Sequence, residues 1–77
     1  MQFYEYKDYI IYPIPQLSTD SEAWEAILSI RKGKYMKIFK TEYLSNTKGE
    51  AVFYCINLGK KIIDGEGGEF TIGGLED

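Results

Sequence analysis

The chain has 77 residues, room for one hydrophobic core; a domain this size buries only about 60% of the surface its unfolded chain exposes. Its apolar content of 44% excludes intrinsic disorder, and an aromatic share of 16% makes tyrosine and phenylalanine the main packing material. With a net charge of −3, one cysteine and no histidine, the composition excludes a disulfide scaffold, a Ser-His-Asp triad and the commonest metal ligand.

The first residues, Met1-Gln2-Phe3-Tyr4-Glu5-Tyr6, show no basic region followed by an apolar stretch, so no secretory signal is expected. No apolar run is long enough to span a membrane, and a reducing cytoplasm is the expected compartment. Lys7-Asp8 reads as a tight turn between Tyr6 and Tyr9, and Tyr9-Ile10-Ile11-Tyr12 as a strand. Pro13 and Pro15 lack an N–H, so this strand should end at a sheet edge or leave the sheet.

Residues 23–31 carry two patterns. Thr19-Asp20-Ser21-Glu22 has capping-box spacing, with Trp24, Ile27, Leu28 and Arg31 as a helical face. Against this, Trp24, Ala26, Leu28 and Ile30 alternate with Glu25, Ser29 and Arg31. Folding the chain at Lys32-Gly33 sets Ile30 opposite Tyr35, Ala26 opposite Phe39, Ile27 opposite Ile38 and Glu25 opposite Lys40, which favours a strand. Residues 34–44, rich in β-branched and aromatic side chains, form its partner.

The spacing predicts a helix from about 48 to 63. Thr47 and Glu50 form a capping box, and Ala51, Cys55, Leu58 and Ile62 make an apolar stripe. Lys60 and Lys61 suit the negative end of the helix dipole, and Gly65 suits the position that stops it. Gly59 would let the helix backbone approach a sheet closely. Five of the eight glycines follow Ile63, together with Asp64, Glu66, Glu69, Glu76 and Asp77 and no base; residues 1–63 hold nine bases against seven acids.

The expected fold is therefore α+β: a three-stranded antiparallel sheet in β-β-β-α order, with one C-terminal helix packed on one face. Residues 1–65 form the domain, and 66–77 an acidic, glycine-rich flexible tail. Trp24, Ala26, Leu28, Ile30, Tyr35 and Phe39 should receive the helix. The closing run Gly59-Lys60-Lys61-Ile62-Ile63-Asp64-Gly65, the start Tyr6-Lys7-Asp8-Tyr9 and Trp24 resemble a loose group of small uncharacterised bacterial proteins. Those begin Tyr-Lys-Gly-Tyr, open the second strand with Trp and close a helix on Gly-Lys-x-Ile/Trp-Ile-Asp; here Asp8 stands in place of the glycine. The resemblance spans residues 4–65; it implies the β-β-β-α arrangement and no activity.

Candidate chemistry is sparse, and no enzyme, cofactor or metal is expected. Cys55 lies in the apolar helix stripe, without bases to lower its pKa. The carboxylate pairs Glu22/Glu25 and Asp64/Glu66 have nothing to split their pKa values. The tail lacks EF-hand ligand spacing, and the Gly-x-Gly-Gly at 65–68 follows no strand. Asp64 is expected to accept hydrogen bonds from backbone or a sheet hydroxyl at the helix end.

Two surfaces stand out. Arg31, Lys32, Lys34, Lys37 and Lys40 form a basic hairpin interleaved with Tyr35 and Phe39, a pattern of single-stranded nucleic-acid binders. The aromatic pair should face the helix, however, while Arg31, Lys34 and Lys40 face away from it. Ile27, Met36 and Ile38 form an apolar strip on the sheet face the helix leaves open, with Tyr4 or Tyr12 the candidates to shield it. The leading expectation is a non-catalytic interaction module, self-associating or docking to a protein through that face or an edge strand. The alternative is single-stranded nucleic-acid binding through residues 31–40.

Overall fold

Residues 4–13 fold into a hairpin, β1 (Tyr4–Tyr6) and β2 (Tyr9–Pro13), around a Lys7-Asp8 turn whose residues both take positive φ, 49° and 69°. Positive φ at both central positions marks a type I′ turn, whose twist matches that of the strands it joins. The structure, a computed structural model, describes residues 2–20 and 22–73. After Pro13 the chain makes a two-residue strand, β3 (Gln16–Leu17), then the long hairpin β4 (Trp24–Lys32) and β5 (Tyr35–Ser45), and last α1 (Lys48–Ile63). β2 and β3 both pair with β4, β1 flanks β2, and β5 pairs with β4 from the other side; every pairing is antiparallel.

The antiparallel α+β architecture with a C-terminal helix is as expected, but the sheet has five strands and not three. β1 and β3 are the additions. Each is too short to show its own periodicity and exists because β2 or β4 offers it a free edge. Residues 23–31 are strand, as the alternation predicts. The hairpin loop is Gly33-Lys34 and not Lys32-Gly33, with Gly33 at φ 61° in the first loop position. Phe39 therefore pairs with Leu28, Ile38 with Ser29 and Lys40 with Ile27. Because the shift is an even number of residues, each side chain keeps its face; Tyr35 alone loses its core position, pairing with Lys32 at the exposed hairpin tip.

A bulge interrupts the hairpin. Ile27 pairs with Lys40 but Glu25 pairs with Leu44, so two steps along β4 oppose four along β5. The excess of two preserves pleating: from Met36 to Ser45 exposure alternates without a break. The Thr41 hydroxyl donates to the Ala26 carbonyl at 2.8 Å, satisfying a buried acceptor at the bulge.

The inner face of the sheet, with Tyr9, Ile11, Ala26, Leu28, Ile30 and Phe39, receives Ala51, Cys55 and Ile62 of α1. Each fully buried Ile or Leu contributes roughly 1.5–3 kcal/mol. The helix starts on the expected capping box: the Glu50 amide donates to Thr47 Oγ1 and the Thr47 amide to the Glu50 carboxylate. It ends in a Schellman motif, with Gly65 at φ 81° donating to Ile62 O and Glu66 donating to Lys61 O.

Phe70 and Ile72, expected within a flexible tail, pack against the body of the domain. Ile72 is buried in the core, and Phe70 meets Phe39 edge-on with ring centroids 5.8 Å apart. Gly67 lets this return segment cross Ile62, whose side chain would lie 2.7 Å from an added Cβ. Residues 74–77 lie outside the described part of the chain.

Gly59 makes the closest approach of helix to sheet. A Cβ there would stand 2.8 Å from Ile11 Cδ1 and 2.9 Å from its Cγ2. Gly59→Ala should destabilise the fold by about 1–3 kcal/mol despite the ~1 kcal/mol helix preference for alanine. The same substitution should cost clearly less in an Ile11→Ala background, as read by urea denaturation of the four-member cycle.

Candidate functional site

The sheet faces α1 on one side only. Its outer face is built in rows set by the register: Glu5, Ile10, Arg31 and Met36; then Tyr12, Ser29 and Ile38; then Ile14, Ile27 and Lys40. The third row is joined by the Ile14 amide donating to the Ile27 carbonyl at 2.6 Å. Ser29, small and central, is buried between Tyr12 and Ile38, whereas the large side chains around it are not. Phe3 is 54% exposed, Met36 58%, Ile38 59% and Leu44 50%. These open apolar side chains all lie on the outer side of the sheet, with Lys40 and Glu42 between Ile38 and Leu44 along β5.

Of the sequence-predicted apolar strip, Met36 and Ile38 stand exposed and Ile27 lies half-buried between them and Ile14. Tyr4 does not shield the strip: it lies on the helix side, with Lys60 Nζ 4.5 Å from its ring centroid. Tyr12 is on the outer face and packs against Phe3, ring centroids 5.9 Å apart. Phe3, Ile14 and Leu44 were missed. Phe3 reaches the face only through β1 pairing, and Leu44 only through the even-numbered bulge; the alternation of Ile38, Lys40, Glu42 and Leu44 was the available signal for the latter.

The basic run divides between the two faces. Arg31 and Lys40 sit on the outer face, and Arg31 Nε donates to Gly33 O at 2.8 Å. Lys34 lies in the loop, its Nζ 5.7 Å from the Tyr35 ring centroid, and so does not join the open face as expected. Lys32 and Lys37 lie on the inner side: Lys32 Nζ stands 5.2 Å from the Tyr9 ring centroid, and Lys37 Nζ donates to Thr71 O at 2.8 Å. Arg31, Lys32, Lys34 and Lys37 are engaged by the chain's own rings and carbonyls, and the five cations do not line one groove.

The main polar cluster ties the first hairpin to the helix end. Tyr6 Oη donates to Asp64 Oδ2 at 2.8 Å and Lys7 Nζ to Asp64 Oδ1 at 2.7 Å. The sheet hydroxyl expected at Asp64 is thus Tyr6. Hydrogen bonds from Lys7 and then Tyr6 hold the Asp64 carboxyl below its ordinary range, while the same bonds raise the Tyr6 phenol and the Lys7 amine. Cys55 is buried, and its Sγ lies 3.3 Å from Ile27 O; burial pushes the thiol up to about 11. At neutral pH it is therefore a protonated, enclosed thiol, poorly suited to nucleophilic attack. Among the described residues no three acidic or thiol side chains converge as a metal site, and no helix is long and apolar enough to cross a membrane. No family model matches this chain, and no curated protein or solved structure does either.

A carboxyl depressed in the folded state contributes stability above its unfolded pKa that is lost as pH falls through its folded pKa. Asp64→Asn should therefore flatten the acid limb of the stability–pH curve below about pH 4, measured by thermal denaturation across pH. The Cys55 thiol should resist an aromatic disulfide reagent in the folded protein and react promptly in denaturant; rapid labelling of the native protein would contradict its burial.

Proposed function

We propose that the chain is a non-catalytic protein-interaction module whose working surface is the outer face of the sheet, with a second copy of itself as first partner. The single observation that carries this is the exposure of Met36, Ile38, Leu44 and Phe3 on a face that, among the described residues, no element covers. Solvating such a strip costs free energy that a protein partner removes. One buried thiol without a disulfide suits a reducing environment, and we read its compartment as the cytoplasm.

The single-stranded nucleic-acid reading has less support. Of its five cations two lie on the outer face, two on the inner side and one in the loop, and Phe39, the buried ring among them, is enclosed by Phe70 rather than free to stack on bases.

Size-exclusion chromatography with light scattering tests the proposal. The wild type should exceed monomer mass at high protein concentration, and Met36→Glu with Ile38→Glu should shift it toward monomer while the fold is retained by circular dichroism. A strict monomer whose outer-face variants behave identically would overturn self-association. Micromolar binding of labelled single-stranded RNA at moderate salt, lost on neutralising Arg31 and Lys40, would favour the alternative.

A further inference from the structure

β5 is the long free edge of the sheet. It pairs with β4 on one side and, among the described residues, with no strand on the other. In a two-residue hairpin the closing pair, Lys32 and Tyr35, exchanges hydrogen bonds, so the backbone groups of Tyr35, Lys37 and Phe39 turn toward β4. Those of Met36, Ile38 and Lys40 turn outward. The bulge adds an even number of residues, so Glu42 and Leu44 stay in phase with them. An unpaired edge of this length is a template for another strand.

The edge sequence is antisymmetric in charge about Thr41. Ile38-Phe39-Lys40-Thr41-Glu42-Tyr43-Leu44 reads apolar, aromatic, positive, Thr, negative, aromatic, apolar; reversed, it reads the same with the charges exchanged. We propose that a second copy of the chain occupies this edge, its β5 antiparallel to the first about a two-fold axis at Thr41. This rests on the self-association reading above and commits it to one register.

In that register Lys40 faces the partner's Glu42 and Glu42 faces the partner's Lys40. Ile38 faces the partner's Leu44 and the reverse, on the outer face, so two of the most exposed apolar side chains cover each other. On the inner side Phe39 stands opposite the partner's Tyr43. Backbone phase allows the copies to slide only by two-residue steps. One step in one direction sets Lys40 against Lys40, and one step in the other sets Glu42 against Glu42. Like charges directly opposed are unfavourable, so the neighbouring registers are disfavoured on both sides. Lys40 and Glu42 are exposed and, among the described residues, their side chains form no bond that shapes the fold, so they can be changed without disturbing it.

The test is a charge-exchange cycle read by sedimentation equilibrium at low ionic strength. Lys40→Glu and Glu42→Lys should each weaken dimerisation roughly tenfold or more, because each creates two like-charge pairs across the axis. The double exchange, Lys40→Glu with Glu42→Lys, should return the dissociation constant to within about threefold of the wild type. A second readout fixes the neighbours: mixing Lys40→Cys with Glu42→Cys protein should give the mixed disulfide in preference to either symmetric one, since directly opposed Cα atoms lie about 5.5 Å apart. A wild-type dimer indifferent to both single exchanges, or one that the double exchange fails to restore, overturns this register and leaves self-association through the outer face standing. A wild type that stays monomeric at millimolar concentration overturns both.

Discussion

The helix can seal the core only because Gly59 lets its backbone settle onto Ile11. With no Cβ at that position, α1 approaches β2 more closely than any other residue allows, and Ala51, Cys55 and Ile62 reach the sheet together. The approach is also specific in place. Helix and sheet interlock at one point, which sets how α1 lies along β2 and β4 and brings its C-terminal cap beside the first hairpin. Tyr6 and Lys7 then find Asp64 within hydrogen-bond reach, so the polar clamp depends on the apolar contact.

A helix about 10 Å across cannot cover a sheet four strands wide, which spans roughly 15 Å between its outer strand axes. α1 lies mainly over β2 and β4 and meets β5 where Tyr54 stacks on Tyr43, ring centroids 3.9 Å apart, leaving a gap beside Phe39. The segment after the Schellman motif fills that gap: Phe70 meets Phe39, Ile72 closes the core beside Ile62, and Lys37 fastens the segment through Thr71 O. The glycine-rich segment is thus a second covering element. Among the described residues nothing comparable lies on the outer face, so the two faces of the sheet differ in cover.

Local chemistry was legible in the sequence, and long-range choices were not. The capping box at Thr47 and Glu50, the stop at Gly65, the hydroxyl partner of Asp64 and the close approach at Gly59 each follow from residues whose options are few. The register of the long hairpin was misjudged by two residues because glycine suits either loop position. Only its positive φ in the first position, with the bulge at Thr41, decides the pairing. β3 had no local signal, and Phe70 and Ile72 had only a brief alternation with Glu69 and Thr71; the packing of both depends on surfaces built by residues far away in sequence. The candidate site was legible in part for the same reason. Met36 and Ile38 declare themselves by alternation within one strand, whereas Phe3 joins the face only when β1 pairs with β2.

The clamp between Tyr6 and Asp64 links positions 58 apart in a chain of 77. A contact spanning so much of the sequence closes a long loop, and the entropy of that closure is lost before the contact rewards it. All five strands precede α1 in the chain, so the sheet alone has both faces bare. The covering of the inner face then waits for residues 48–72. Until that point the sheet is in the state in which strand edges and apolar faces are most prone to misassembly. The bulge at Thr41 and the alternating charges of Lys40 and Glu42 along β5 interrupt its apolar run during that interval, acting as gatekeepers before any partner is present.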